Sequence, residues 1–518
     1  MTTSPVVETT GGKVRGAFTQ SVFSFKGIPY GADTSGANRF HPAKRIDWAG
    51  VRDALAFPSR APQNEPDSAL PYHTWAKDRG PMAEDCLALN VYTSTLQEGA
   101  RKPVLVYLHG GGFSMGAAGA PGLDGSNLAR RDVVVVTVNH RLNLFGFLYL
   151  GTADGDFSAD ATNLGMLDIV RALKWIKENV ARFGGDPNNV TLFGQSGGGS
   201  KVAVLMAMPE AHGLFHRAVI QSSSSLLRMA SLEDAERNTH FFLRTLGVKQ
   251  DRIRTLQELP IDTLLAAQAE AIRAAGMIDN YRPVVDGAIL PCQPFDVEAV
   301  RLSASIPLLT GWCENEQRLA FAPTPGIFNM DFQEAVAATA RSLCISIHDA
   351  TRLLAAYRNG RPLDSSGDLF TQAFGDYRYR RSVTHAAQRQ TIGASAPVYM
   401  YMLNWKSPVQ NGLLRSPHTL CVPFVFANVD LASGITGVGR DRYLLQDEMA
   451  QSWVAFARSG DPNHSGLPTW APYDLVDRQT MVFGSPSRVE TDPLREERLA
   501  LDQLPPYVPA VTEGRRTW

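Results

Sequence analysis

The fold of this chain is constrained most by short apolar runs that alternate with helical patterns along its length. The clearest helical pattern covers 165–180, where apolar residues recur at three- and four-residue spacing from Leu167 to Ile176. Strands that alternate with helices favour a mostly parallel β-sheet covered on both faces, which is an α/β architecture. The expected strands are 103–108, 133–138, 190–193, 218–221, 306–310 and 397–403.

Chain length and sequence pattern give different indications of the number of domains. A chain of 518 residues suggests roughly three or four domains by size alone. However, no repeat, low-complexity tract or long charge run marks a boundary inside it. The stretch 225–390 is richer in helical pattern, and we expect it to form helical layers over one end of the sheet.

The charge balance excludes several classes of partner. The formal net charge is -1, which gives no electrostatic basis for binding nucleic acid or an anionic membrane surface. No apolar run approaches the roughly 18 residues of a membrane-spanning helix. The N-terminus lacks the basic and apolar regions of a signal peptide, and the five cysteines are scattered. We therefore expect reduced thiols in a cytoplasmic protein.

One stretch combines a strand, a sharp turn and a helix. The apolar run 190–193 stops at Gly194, Ser196 stands at the apex, and glycines then lead into a helical pattern. This is the setting of a nucleophile elbow, where glycines relieve crowding and the serine hydroxyl meets free N–H groups of a helix start. The alternative interpretation is a glycine-rich turn with an incidental serine. Ser200 lies inside the expected helix and is the poorer candidate.

A second glycine-rich turn follows the strand expected at 103–108. Its sequence is His109 followed by three glycines and Phe113. Such a turn lets backbone N–H groups approach a ligand unpaired, as an oxyanion hole requires, although alone it also fits a tight turn with no ligand. The predicted donors are Gly111, Gly112 and Gly197, the residue after the nucleophile. His109 itself is predicted to be structural.

These motifs and others resemble those of the type-B carboxylesterases, the cholinesterase-like branch of the α/β-hydrolases. The resemblance runs through nearly the whole chain and implies one catalytic domain over 1–518. It implies a mostly parallel central sheet flanked by helices, with helical layers over the catalytic end. The matching segments are 25–30, 84–90, 109–113, 139–142, 146–148, 163–168, 183–187, 283–287 and 460–463.

The resemblance also identifies an acid and a base. In α/β-hydrolases the acid and then the histidine follow the nucleophile. Glu316 takes the family's acid position after the strand 306–310, which leaves Glu314 as a solvated glutamate. His418 begins a segment ending in Pro-Phe-Val-Phe that is similar to the family's histidine motif. The histidines that follow Glu316 are His348, His385, His418 and His464.

The implied reaction is a two-step acyl transfer on a small-molecule ester. Ser196 attacks the ester carbonyl while His418 takes its proton, and Glu316 orients the imidazole. The oxyanion binds the three glycine N–H groups, and no metal or organic cofactor is required. Ser222 matches a family serine that supports the acid. The resemblance leaves the substrate and the oligomeric state open.

Two departures from the family lie next to these residues. The residue before the nucleophile is usually glutamate, but here it is Gln195, and a carboxylate usual three residues after the histidine is replaced by Cys421. The paired loss fits either neutral drift or a site more tolerant of substrates that carry carboxylates. The loop 59–83, which no upstream cysteine clamps, is either a mobile lid or a surface connection.

Other functions remain open at this stage. The same triad hydrolyses amides, carbamates and lactones, and some relatives have lost the serine and serve as binding domains. A purely binding role disagrees with the serine, acid and histidine that this chain keeps in register. The sequence therefore predicts a carboxylesterase, a serine hydrolase of the α/β-hydrolase fold.

Overall fold

The computed structural model describes residues 4–64, 71–151, 157, 162–224, 226–275 and 281–505. Its strands are β1 Val6–Thr9, β2 Gly12–Arg15, β3 Ala17–Thr19, β4 Val22–Pro29, β5 Val51–Asp53, β6 Ala88–Thr93, β7 Lys102–Leu108, β8 Val134–Val138, β9 Gly185–Gln195, β10 Arg217–Gln221, β11 Leu308–Cys313, β12 Val398–Leu403, β13 Gln479–Phe483 and β14 Arg488–Thr491. All six strands expected from the sequence are therefore confirmed.

The α-helices are α1 Ser126–Ala129, α2 Asn143–Phe147, α3 Leu164–Asn179, α4 Gly197–Met206, α5 Leu232–Leu246, α6 Ile261–Ala275, α7 Val297–Leu302, α8 Arg318–Phe321, α9 Phe332–Leu343, α10 Ile347–Gly360, α11 Ser366–Gly375, α12 Arg381–Gly393, α13 Cys421–Val425, α14 Ser433–Thr436, α15 Asp441–Ser459 and α16 Arg495–Asp502. The 3₁₀-helices are Gly36–Asn38, Pro71–Ala76, Pro121–Leu123, Val180–Phe183, Pro209–Ala211, Gln250–Gln257 and Pro325–Asn329, and a π-helical turn covers Asp376–Arg380. The helix expected at 165–180 is confirmed as α3.

The main sheet has 11 strands in the order β14-β13-β12-β11-β10-β9-β7-β8-β6-β4-β3. The seven strands from β13 to β8 pair in parallel, and antiparallel strands complete both edges. The mostly parallel sheet predicted from the alternating pattern is confirmed. Strands β1, β2 and β5 form a separate three-stranded sheet.

Both faces of the main sheet are buried, as β7 shows. Val104, Val106 and Leu108 belong to one hydrophobic core, whereas Leu105 and Tyr107 belong to another. Because successive side chains of a strand point to opposite faces, these two cores lie on the two sides of the sheet. Burial on both faces explains why the strand reads as a continuous apolar run rather than an alternating one.

The helix-rich stretch 225–390 contains α5 to α12, with β11 passing through it. Helices α9, α10 and α11 enclose a third hydrophobic core, which α16 helps to close.

None of the helices in the described ranges is both long and apolar enough to cross a membrane. Residues 65–70 of the loop 59–83 lie outside the described residues, so the lid prediction is untested.

The candidate residues follow the carboxyl ends of parallel strands. The glycine turn follows β7, Ser196 follows β9, Ser222 follows β10 and Glu316 follows β11. His418 lies beyond β12, in the turn that precedes α13. In open α/β sheets, the carboxyl ends of the strands are where ligands bind, so this edge is the place to look for a site.

Candidate active site

Ser196 lies at a strained turn between β9 and α4. Its backbone has φ 58° and ψ -125°, a region that a non-glycine residue rarely adopts. The turn is held because the Ser196 N–H donates to the carbonyl of Gln221 at 2.8 Å and the Ser200 N–H donates to the carbonyl of Ser196 at 3.1 Å. The serine side chain is thereby placed at the N-terminus of α4, where backbone N–H groups are free.

The glycines around this turn are required by space. A methyl group added at Gly194 would lie 2.4 Å from the carbonyl carbon of Gly198. One added at Gly198 would lie 2.0 Å from the carbonyl oxygen of Leu108. Helix α4 can therefore begin this close to β7 and β9 only because these positions have no side chain.

We expect Gly198→Ala to lower the free energy of unfolding by about 3 kcal/mol, because the new methyl group forces β7 and α4 apart. Gly326→Ala is the matched control, since no atom lies within 4 Å of a methyl group there. Urea denaturation of both variants measures the difference. Equal urea midpoints for the two variants would show that the elbow can accommodate a methyl group at Gly198.

Glu316 and His418 form a direct pair. The Oε2 atom of Glu316 lies 2.5 Å from Nδ1 of His418, and Oε1 accepts a hydrogen bond from the Cys313 N–H at 2.8 Å. The Glu316 side chain is fully buried. Because a carboxylate only accepts hydrogen bonds, the proton of neutral His418 lies on Nδ1, and Nε2 is left with a lone pair.

The hydroxyl of Ser196 is not bonded to that lone pair. Among the described residues, the polar side chain nearest to His418 Nε2 is that of Gln195, whose amide nitrogen lies 3.1 Å from Nε2 and 3.4 Å from Nδ1 and therefore off the line of the Nε2 lone pair. Gln195 immediately precedes Ser196, so the serine and the histidine are neighbours through this amide. The structure thus joins two of the three predicted residues directly and holds the third beside them.

The predicted oxyanion donors lie together beside Ser196. Gly111 and Gly112 have φ of 88° and 64°. A methyl group added at Gly197 would lie 2.5 Å from the Gly112 nitrogen, so the two turns are in contact. Within the described ranges, the N–H groups of these three glycines donate no hydrogen bond. Gln63 holds the backbone just after the glycine turn, since its Oε1 accepts from the Gly116 N–H at 2.8 Å.

Lys201 is a residue that the sequence reasoning missed. It lies on α4 with its side chain buried, and its Nζ donates to the carbonyl of His109 at 2.9 Å. Burial and Lys201 together hold the pKa of His109 well below its usual value, so that ring is neutral. His109 stacks on His140 with ring centroids 5.0 Å apart, as suits the structural role predicted for it. A lysine within an apolar helical pattern was the available signal.

Ser222 and Cys421 both contact Cys313, the residue whose N–H donates to the Glu316 carboxylate. Ser222 donates to Cys313 Sγ at 3.7 Å, so its contact with Glu316 runs through the residue whose N–H holds that carboxylate. Burial raises the pKa of the Cys313 thiol well above its usual value, and the neighbouring Cys421 thiol adds to the shift. Cys421 is fully buried in the core that contains Tyr107 rather than at a surface that a substrate could reach.

Glu314 is not the solvated glutamate that the sequence predicted, because it is buried and forms salt bridges with Arg361 and Lys406. Burial alone would raise its pKa, but the two cations outweigh burial and hold the pKa below its usual value. The prediction was wrong because a carboxylate outside the family's acid position is usually exposed to solvent. Glu314 instead anchors the segment that carries Glu316.

Tyr379 covers the histidine from the helical side. The centroids of its ring and of the His418 ring are 4.6 Å apart, and the two ring planes make an angle of 40°. It belongs to the π-helical turn Asp376–Arg380, between α11 and α12. Such turns are rare and occur frequently at functional sites. A helical sequence pattern does not reveal a π-turn, so sequence reasoning missed this residue.

A serine raised above a parallel sheet by a strained strand-to-helix turn is the signature of the α/β-hydrolases, and the elbow at Ser196 puts the protein in that class. Within the class the chain belongs to the carboxylesterase family, because the sequence model described as "Carboxylesterase family" matches residues 3–501. The family predicted from the sequence motifs is confirmed.

Similar proteins cover almost the whole chain. A para-nitrobenzyl esterase of Bacillus subtilis (strain 168) is 34% identical over 96% of this chain and 99% of its own length. A phenmedipham hydrolase of Pseudarthrobacter oxydans is 32% identical over 97% of this chain and 100% of its own. The crystal structure of the Geobacillus stearothermophilus carboxylesterase EST55 at pH 6.2 matches with a TM-score of 0.82 at 36% identity, covering 96% of this chain and 99% of that one. The protein is therefore a carboxylic-ester hydrolase.

Proposed function

We propose that the protein hydrolyses small-molecule carboxylic esters through an acyl-enzyme on Ser196, with His418 as base and Glu316 as acid. The observation that carries this proposal is the 2.5 Å contact of Glu316 with His418 Nδ1, which leaves Nε2 free to accept a proton beside the strained serine. No step needs a metal or an organic cofactor.

The reaction proceeds by acylation and deacylation. The Ser196 oxygen bonds to the ester carbonyl carbon as its proton moves to His418 Nε2, and the oxyanion accepts hydrogen bonds from Gly111, Gly112 and Gly197. The ester C–O bond then breaks, and the alcohol leaves with the proton from His418. Water, deprotonated by the same nitrogen, attacks the acyl carbon and releases the acid and free Ser196.

A fluorophosphonate probe tests the nucleophile. We expect the wild-type enzyme to be labelled at Ser196 and Ser196→Ala to be unlabelled, because the probe bonds to an activated serine oxygen. Ser200→Ala is the control, since that hydroxyl lies on the same helix but pairs with Ser223 at 2.7 Å. Labelling is read by gel fluorescence and peptide mass. Equal labelling of Ser196→Ala and the wild type would refute the assignment.

We also propose that the enzyme tolerates substrates that carry a carboxylate. Gln195 stands where the family usually has a glutamate, and its amide is 3.1 Å from the imidazole, so a negative charge is missing at the catalytic base. Like charges repel, and removing one lowers the cost of bringing an anionic substrate close. Cys421, at the second position where the family usually has a carboxylate, is buried.

Two matched p-nitrophenyl esters, one ending in a carboxylate and one in a trimethylammonium group, measure this tolerance. We expect kcat/KM for the anionic ester to equal or exceed that for the cationic one. The measurement is made at low ionic strength, because salt screens charges that lie more than about 10 Å apart at 0.1 M. A kcat/KM much higher for the cationic ester than for the anionic one would contradict the proposed tolerance of carboxylates.

A further inference from the structure

Lys201 is a buried lysine that the proposed reaction does not use. It lies on α4, the helix that begins with Gly197, and its side chain is fully buried. Its Nζ donates to the carbonyl of His109 at 2.9 Å and lies 5.8 Å from the centre of the Phe113 ring. His109 and Phe113 are the residues immediately before and after the three glycines of the glycine turn. One amino group therefore contacts both ends of that turn.

The glycine turn has little conformational preference of its own. Glycine adopts positive and negative φ about equally well, and Gly111 and Gly112 both have positive φ here. Oxyanion donors act only if their N–H groups converge on one oxygen about 3 Å away. Three successive glycines do not maintain such a geometry unaided, so contacts at the ends of the turn must fix it.

The hydrogen bond from Lys201 fixes the direction of the first peptide of the turn. A trans peptide is planar, with its C=O and N–H on opposite sides, so holding the His109 carbonyl also sets the direction of the Gly110 N–H. The next peptide is held by the His109 ring, whose Nδ1 lies 2.9 Å from the Gly110 carbonyl oxygen. Because a carbonyl only accepts, Nδ1 is the donor, and the Gly111 N–H points to the opposite side of that peptide. Lys201 thereby acts on the backbone that leads to the predicted donors.

The helix that carries Lys201 also supplies the third predicted donor. Gly197 is the first residue of α4, and a methyl group added there would lie 2.5 Å from the Gly112 nitrogen. A methyl group added at Gly198 would lie 3.1 Å from the His109 carbonyl oxygen, which is the atom that Lys201 bonds. The first turn of α4 and the start of the glycine turn are thus packed together, and Lys201 bonds one to the other.

We propose that Lys201 is a positioning residue for the oxyanion hole. By holding the His109 carbonyl against α4, it keeps the donors of the glycine turn aligned with the N–H of Gly197. The proposal rests on the proposed function, since it assumes that an oxyanion forms beside Ser196. Without Lys201 the His109 carbonyl loses a buried hydrogen bond, and an unpaired buried acceptor is costly, so the first peptide of the turn would rotate to find another donor.

A transition-state analogue tests the proposal in the full-length enzyme. An alkyl trifluoromethyl ketone bonds to the Ser196 oxygen as the serine proton moves to His418, and its carbonyl oxygen becomes an oxyanion. The matched trifluoromethyl alcohol binds without forming one. We expect Lys201→Met, which keeps the length of the side chain but has no donor, to raise the inhibition constant of the ketone about 10²-fold, as for the loss of one oxyanion donor. The inhibition constant of the alcohol should equal that of the wild type. Both constants are measured by inhibition of p-nitrophenyl acetate hydrolysis.

Arg442→Met is the matched control. Arg442 is also a buried cation that donates to a backbone carbonyl, that of Val429 at 3.1 Å, and its guanidinium lies 4.9 Å from the centre of the Tyr443 ring. These contacts lie outside the glycine turn, so both inhibition constants should equal those of the wild type. Unchanged constants in Lys201→Met would overturn the proposal. An equal rise for the ketone and the alcohol would also overturn it, because the substitution would then have damaged the whole pocket rather than the oxyanion hole.

Circular dichroism shows whether each variant is folded, and Lys201→Leu gives a second reading if Lys201→Met does not fold. If neither variant folds, Lys201 serves the stability of the whole chain and the proposal is wrong. Fluorophosphonate labelling separates this inference from the proposed function. If the wild type is labelled at Ser196 and Lys201→Met leaves the ketone constant unchanged, only the role of Lys201 is wrong. If the wild type is not labelled at Ser196, the nucleophile assignment itself fails.

Discussion

Replacing Glu316 by glutamine is expected to lower kcat for p-nitrophenyl acetate by about 10⁴ while leaving the fold intact. The Cys313 N–H donates to Oε1 of Glu316 at 2.8 Å, and this hydrogen bond would keep an oxygen at that place in the glutamine. The glutamine NH₂ would then face His418 Nδ1 and donate to it. The imidazole would carry its proton on Nε2, where it can no longer accept the proton of Ser196.

Glu314→Gln is the matched control, with the same substitution two residues earlier. Glu314 is also buried, but it pairs with Arg361 and Lys406 rather than with the histidine. We expect this variant to lose stability and to keep kcat within about tenfold of the wild type, because the tautomer of His418 is unchanged. Circular dichroism of both variants gives the fraction of folded enzyme by which each rate is corrected. A Glu316→Gln enzyme as active as Glu314→Gln would contradict the assignment of the acid.

The sequence predicted the framework well because its signals were local. The strands of the parallel sheet are apolar runs because both faces of the sheet are buried. The elbow was recognisable from its glycines, which the close approach of Leu108 and Gly198 requires. Glu316 and His418 are different, because they are 102 residues apart. Nothing in local pattern joins them, and only the resemblance to a family did so.

The contacts that the sequence did not reveal depend on how distant segments meet. The side chain of Gln195 was expected to influence charge near the site, but the approach of its amide nitrogen to within 3.1 Å of His418 Nε2 follows from the side-chain conformation alone. Ser222 was expected to support Glu316, and its hydroxyl donates to Sγ of Cys313, whose N–H donates to that carboxylate. Tyr379 reaches His418 because a π-turn interrupts a helix, and the sequence pattern of a helix looks the same with or without that turn.

Arg380 should contribute most to stability among the groups around this π-turn. Its guanidinium is 2% exposed and lies 3.2 Å from carboxylate oxygens of both Asp376 and Glu497. It also donates to the carbonyls of Pro493 and Leu494. Removing it leaves two carboxylates buried together with less positive charge, and breaking a buried pair in this way costs about 3–5 kcal/mol.

We therefore expect Arg380→Met to lower the free energy of unfolding by about 4 kcal/mol at pH 8. Arg389→Met on α12 is the control, expected to cost at most about 1 kcal/mol, because its bond to Asp296 is exposed. Burial raises the pKa of Asp376 to about 6 despite the opposing effect of Arg380. A buried carboxyl group with a raised pKa destabilises the folded state only when it is ionised. At pH 5 Asp376 is mostly protonated, so the loss of unfolding free energy in Arg380→Met should be smaller than at pH 8. Urea denaturation at both pH values measures this, and a loss that is equal at pH 5 and pH 8 would mean that charge on Asp376 is not its cause.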